Sequence, residues 1–223
     1  MSDRVTTKLK RMIEGPELAV LPGVADALNA RLVAAEGFSG IYMTGAGTSA
    51  NRLGMPDVGL LTMNEMADNA ARIADASGLP LLADADTGWG GPLNVRRTVQ
   101  LYERSGVAGL HIEDQEWPKR CGHLAGKAVI STEDMVQKIK AAVDARIDQD
   151  FQIVARTDAL AVEGWNAMLD RAHAFEEAGA DVLFLEAMTT MEQLAEAPKL
   201  FSDRKSTRLN SSHSSVSRMP SSA

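Results

Sequence analysis

Short apolar runs alternate with longer amphipathic stretches along most of this chain. The runs fall at residues 18–20, 40–43, 79–83, 109–112, 152–155 and 182–185. Strands of that length separated by helical stretches predict βα units on a parallel sheet. The helical stretches carry their own signals. Thr62 with Glu65 reads as a capping box, with Met66, Ala70 and Ile73 following on one face. Ser131 opens a helix striped by Met135, Ile139 and Val143, and Met168, Ala172 and Phe175 stripe another that closes at Gly179. Thr189 with Glu192 is expected to cap the last helix. Gly37, Gly78, Gly106 and Gly179 each stand between a helix and the next apolar run, where a helix stop belongs.

Six such units in a row predict an α/β fold, a (β/α)8 TIM-type barrel that is incomplete here, its last two units missing. An open, doubly wound sheet is the alternative. Polar clusters end nearly every strand: Thr44-Gly45, Asp84 with Asp86, Glu113-Asp114, Arg156 with Asp158, and Glu186. A barrel gathers all of its strand ends at one mouth, whereas an open sheet gathers only those near its switch point. The barrel is therefore preferred.

The pattern stops after Ser202. Residues 203–223 hold eight serines and follow neither a helical nor a strand period. A disordered polar tail is the plain reading. A sharper one is that DRKSTRLNSSH and SRMPSSA, three residues apart, resemble the in-frame translation of a sequencing-library adapter. Residues 1–202 are thus expected to form the barrel domain, cut short, and 203–223 a non-native tail without function.

Composition narrows the classes. Hydrophobic residues make up 45% of the chain and aromatics only 4%, so Ala, Val, Leu, Ile and Met must fill the core. A net charge of −7 argues against nucleic-acid partners, which need a basic face. One cysteine excludes an internal disulfide. The start of the chain has no apolar leader, and no stretch approaches the roughly 20 apolar residues of a membrane span. A cytoplasmic protein without membrane contact is the expectation.

Three groupings carry candidate chemistry. Asp84 and Asp86 stand two apart at a strand end, so both carboxylates should face one site, and a hard cation would relieve their repulsion. His111, Glu113 and Asp114 join them from the next strand end. Oxygen donors favour Mg2+ over Zn2+; the plain alternative is a capped surface loop. Lys119-Arg120-Cys121-Gly122-His123 places the cysteine between two cations and a histidine, which favours a reactive, partly exposed thiol over a buried filler. Arg156 suits a bidentate grip on a carboxylate, with a structural ion pair as its alternative, and Glu186 is open in the same way. The Gly45–Gly47 loop could offer N–H groups to an anion.

Residues 81–88, 109–115, 119–123 and 155–159 together resemble the isocitrate lyase/phosphoenolpyruvate mutase superfamily, most nearly its methylisocitrate and alkylmalate lyases. The resemblance covers about residues 8–202, and the segment Lys119 to His123 is its most specific element. It implies that Asp84 and Asp86 hold Mg2+ (Mn2+ as a substitute), with Asp57 and Glu113 in the water-mediated shell. It implies contact of Thr44, Gly45 and Ala46 with a substrate carboxylate, a clamp by Arg156 with Glu186 beside it, and Cys121 as general acid in a loop shared with Lys119 and His123. The implied reaction is cleavage of a 2-hydroxy di- or tricarboxylate into an α-keto acid and a carboxylate, by a full-length parent that is a homotetramer acting on a small-molecule carboxylate. Two rivals remain: an oxaloacetate decarboxylase of the same superfamily, and an inactive barrel fragment.

Overall fold

Six parallel strands hydrogen-bond in chain order, each to the next. This computed structural model describes residues 3–122 and 126–201, so His123 and the 203–223 stretch lie outside the described residues. The elements run α1 (Val5–Glu14), β1 (Gly23–Val24), α2 (Ala27–Ala35), β2 (Ile41–Met43), α3 (Gly45–Leu53), α4 (Met63–Ser77), β3 (Leu81–Asp84), α5 (Pro92–Arg104), β4 (Gly109–Glu113), α6 (Thr132–Ala145), β5 (Gln152–Thr157), α7 (Trp165–Glu177), β6 (Val182–Leu185) and α8 (Met191–Glu196). The sheet is unclosed among the described residues: β1 pairs only with β2, and β6 only with β5. No described helix is long and apolar enough to cross a membrane.

The alternation of side chains along each strand divides the core into two layers. Leu81, Ala83, Leu110, Ile112, Ile153, Ala155, Leu183 and Leu185 face the helices, and pack there against residues such as Ile73, Val99, Ile139 and Phe175. Leu82, Val154, Val182 and Phe184 face the other way and fill the inside of the curved sheet together with Leu9, with Tyr42 at its edge. Leu9 comes from α1, whose Thr6 and Thr7 hydroxyls donate to Asp148 and Asp150 at 2.7 Å. Those bonds hold α1 across the end of the sheet opposite the strand C-termini. Full burial of each such Leu or Ile contributes about 1.5–3 kcal/mol before conformational entropy is counted.

Most sequence signals find their element. Thr62 and Glu65 form the capping box of α4, with Met66, Ala70 and Ile73 buried beneath it. Ser131 caps α6 and Met168, Ala172 and Phe175 line the buried face of α7. Gly78 ends α4 in the left-handed region at φ 64°, where a side chain would be strained.

Three expectations need correction. The first strand is Gly23–Val24, and the apolar run at 18–20 lies outside it with Leu18 79% exposed. A three-residue apolar run has no period of its own, and pairing with Tyr42 and Met43 selects the later residues. The last helix is capped by Thr190 with Gln193, one residue beyond the expected pair. Gly45 to Gly47 are the first turn of α3 rather than a loop, since the Thr44 hydroxyl accepts the Gly47 N–H at 3.2 Å and starts a helix there.

The layered core predicts a sharp contrast between two truncations. Ile139→Ala, at a fully buried position of α6, should destabilise the protein by about 2–5 kcal/mol. Leu93→Ala, at an 83% exposed position, should stay within about 0.5 kcal/mol of wild type. Denaturant unfolding of both variants measures the difference; equal losses would contradict the assignment of layers.

Candidate active site

The inward positions of the strands continue past the apolar layer to the C-terminal edge. Tyr42 and then Thr44 follow this parity on β2, Leu82 and Asp84 on β3, His111 and Glu113 on β4, Val154 and Arg156 on β5, and Phe184 and Glu186 on β6. They converge on one cavity lined by Tyr42, Thr44, Ala46, Asp57, Asp84, Glu113, Lys119, Arg120, Cys121, Gly122, Arg156, Phe184 and Glu186. Its volume is about 20 Å3, room for about one water, and Cys121 and Gly122 line it together with the strand ends.

Asp84 and Asp86 come together by a turn rather than by strand alternation. β3 ends at Asp84, and Asp86 sits in the left-handed region at φ 46°, a conformation that Asp tolerates better than most side chains. There the Asp86 N–H donates to Asp84 Oδ1 at 2.8 Å. The Gly45 N–H donates to Asp84 Oδ2 at 3.1 Å, and a Cβ at position 45 would stand 2.4 Å from that oxygen. Only glycine lets the start of α3 approach so closely.

Lys119 lies between two loops. Its ammonium is 2.6 Å from Asp57 Oδ1 and 2.6 Å from Asp86 Oδ1, with the side chain 2% exposed. Arg156 Nε and Nη2 donate to the two oxygens of Asp158 at 3.0 and 3.1 Å. Its Nε is also 3.3 Å from Glu113 Oε2, its Nη2 3.8 Å from Glu186 Oε2, and its guanidinium covers the Phe184 ring at 5.2 Å. Cys121 is half-buried and lines the same cavity.

The electrostatics follow from burial of so many charges. Burial works against ionising Asp84, but His111, Lys119 and the Asp86 N–H prevail and hold its carboxyl well below the usual range. For Asp86 burial dominates, opposed by Lys119 and reinforced by Asp84 and Asp57, and its pKa is pushed up to about 6. Burial likewise raises Glu113 well above the ordinary value against the pull of Arg156 and Lys119. Lys119 and Arg156 are held more firmly protonated because their carboxylate neighbours outweigh their own burial.

Asp57, Asp84, Asp86, Glu113, Asp158 and Glu186 outnumber the Lys119, Arg120, Lys127 and Arg156 that face them or lie behind them. Glu113 Oε1 and Glu186 Oε2 are buried without a hydrogen bond. Among the described residues no three acidic, histidine or cysteine side chains form a finished cage, since the Lys119 ammonium stands between Asp57 and Asp86. An oxygen-only donor set with surplus negative charge fits a hard divalent cation.

The structure brings Thr44, Ala46, Asp57, Asp84, Glu113, Lys119, Cys121, Arg156 and Glu186 to one cavity, with Gly45 and Asp86 immediately behind. Asp114 does not join them. It faces the helix layer, where it accepts from Thr157 Oγ1 at 2.7 Å and from the Asp158 N–H at 2.9 Å. His111 is fully buried under the site, 2.7 Å from the Tyr42 hydroxyl and 3.4 Å from Asp84 Oδ2. Tyr42 and Phe184 were not legible as site residues, although each stands two positions before a polar strand end.

A sequence profile described as phosphoenolpyruvate phosphomutase matches residues 9–217. The chain is 49% identical over 187 residues to the 2,3-dimethylmalate lyase of Eubacterium barkeri, covering 84% of this chain and 65% of that protein. It is 46% identical over 193 residues to a 2-methylisocitrate lyase of Shewanella oneidensis, covering 86% and 66%. The chain thus spans slightly under two thirds of the length of these curated relatives. Oxaloacetate acetylhydrolase, solved with 3,3-difluorooxalacetate, superposes with a TM-score of 0.88 at 45% identity, over 93% of this chain and 72% of that one.

The close approach of α3 to Asp84 predicts an energetic coupling. Gly45→Ala should destabilise by about 1–3 kcal/mol. In a double-mutant cycle with Asp84→Ala, which removes the obstructing oxygen, the two losses should fall short of additive by at least about 0.5 kcal/mol. Additive losses in chemical unfolding would mean that the contact does not exist.

Proposed function

Because the chain belongs to the phosphoenolpyruvate phosphomutase family, within the isocitrate lyase/phosphoenolpyruvate mutase superfamily, we propose that it is a Mg2+-dependent carbon–carbon lyase. Its substrate would be a 2-hydroxy di- or tricarboxylate of the alkylmalate or methylisocitrate type, and its products an α-keto acid and a carboxylate. One observation carries the reading. A single cavity holds the carboxylates of Asp57, Asp84 and Glu113, the guanidinium of Arg156 and the thiol of Cys121.

Arg156 binds a substrate carboxylate. Its planar fork is already oriented by Asp158 and by the face of Phe184, so little freedom is lost on binding. Thr44 and Ala46, at the start of α3, face the same anion, and the positive end of the helix favours it. Asp84 and Asp86 would hold Mg2+, with Asp57 and Glu113 around it. When bound, the ion supplies Lewis acidity that makes a 2-hydroxyl easier to deprotonate. As the C2–C3 bond breaks, its electron pair passes to the departing carboxylate fragment, the C2 hydroxyl becomes a carbonyl, and its proton goes to a carboxylate lining the cavity. Cys121, which lines the same cavity, supplies the proton that the fragment takes up at C3. Lys119 keeps Asp57 and Asp86 in register with the cysteine segment. The same reading takes a small carboxylate as partner and a cytoplasmic location, with homotetrameric assembly implied by the family resemblance for the full-length parent.

Likeness to oxaloacetate acetylhydrolase supports a second reading, cleavage of a 2-oxo dicarboxylate at the equivalent bond. Product analysis with both substrate classes separates the two.

Two outcomes are expected. Asp84→Ala and Asp86→Ala should each abolish activity, and EDTA should abolish that of the wild type. Cys121→Ser should lower kcat by about 10²–10⁴ with little change in KM, the worth of a general acid used only in the transition state. Steady-state kinetics on 2,3-dimethylmalate and 2-methylisocitrate measure both. Wild-type kcat in the serine variant would remove Cys121 from the mechanism.

A further inference from the structure

Behind the cavity, on the far side of Arg156, lies a lysine that the reaction does not use. Lys127 follows the cysteine segment on its way to α6, and its side chain is 3% exposed. Its ammonium donates to the Gly122 carbonyl at 2.7 Å and to Asp158 Oδ1 at 2.8 Å. Asp158, itself fully buried, holds the fork of Arg156 through two hydrogen bonds. The backbone beside Cys121 is thus tied through one ammonium to the carboxylate that orients Arg156.

Two further contacts show that this position is built. Gly122 lies so close above the strand ends that a Cβ would stand 2.6 Å from Arg156 Nη2 and 2.8 Å from Glu186 Oε1. On the other side of Cys121, the Gln115 amide engages both backbone groups of Arg120, donating to its carbonyl at 2.8 Å and accepting from its N–H at 2.9 Å. Gln115 and Lys127 therefore hold the residues before and after Cys121 at the rim of the cavity.

We infer that Lys127 is a positioning residue that fixes Cys121 over the reacting atoms by tying Gly122 to Asp158. The inference rests on the reading of Cys121 as general acid. A merely structural buried ion pair would stabilise the fold without governing access to the thiol. A long flexible stem with several donors suits a tie between a backbone carbonyl and a carboxylate. Removing it leaves both acceptors buried without their charged donor.

The chain has one cysteine, so alkylation by iodoacetamide reads this segment alone. Lys127→Met should alkylate roughly tenfold faster than wild type, the size expected from one charge-assisted hydrogen bond. Lys127→Arg, which keeps the charge and the donors, should return the rate to within about twofold of wild type. Loss of a neighbouring cation by itself favours the less reactive thiol and slows alkylation, so an acceleration reports exposure. A rate in Lys127→Met equal to or below wild type, in protein that melts cooperatively, overturns the assignment. Should Lys127→Met not fold, Lys127→Gln is judged by the same criterion. Labelling needs no turnover, so failure of the lyase reading and failure of this one are seen separately.

Discussion

Side chains of a β-strand alternate between two faces, and in this protein that alternation places chemistry and packing on adjacent residues. Ala83 packs against helices while Asp84 enters the site; Ile112 and Glu113, then Ala155 and Arg156, divide in the same way. A one-residue slip in any strand would bury a charge among the helices and turn an apolar side chain into the cavity. The outer core therefore sets the register, and the register sets the site. Tyr102 joins the two layers directly, since its hydroxyl donates to the Asp84 carbonyl at 2.9 Å from α5.

Gathering carboxylates at one buried mouth is costly, and the surroundings show how the cost is offset. Asp84 is satisfied by the Gly45 and Asp86 N–H groups and by His111. Asp158 is satisfied by Arg156 and Lys127, which overcome its burial and keep its carboxyl below the ordinary range. Asp86 and Glu113 are less fully matched, and their raised pKa values are the residue of that imbalance. Under the proposed function, that imbalance is what a bound cation would relieve.

The architecture was legible because five of the six strands coincide with an apolar run and α4, α6 and α7 each carry an apolar stripe. The site was legible because its polar residues end those strands. What escaped was set by geometry that spacing does not encode. Asp84 and Asp86 looked like strand neighbours, but a turn brings them together. Asp114 follows Glu113 directly, and parity alone sends it outward to Thr157 and Arg171. The same parity, applied backwards from Thr44 and Glu186, would have found Tyr42 and Phe184. Helix α1 carries no side-chain cap, and its place is fixed by Asp148 and Asp150, more than a hundred residues away.

Buried carboxylates that are not fully matched line this site, and the divalent cation of the proposed function would complete it. A carboxyl whose folded pKa is raised stabilises the fold fully below its unfolded pKa of 3.8. For Asp86 that contribution is lost as pH rises through the folded value of about 6. Mg2+ should restore what ionisation removes, because it binds the ionised form. Thermal melting at pH 5 and pH 8, with and without millimolar Mg2+, tests this directly. The account predicts a small rise in Tm with Mg2+ at pH 5 and a markedly larger one at pH 8. Equal rises at the two pH values, or none at pH 8, would contradict it.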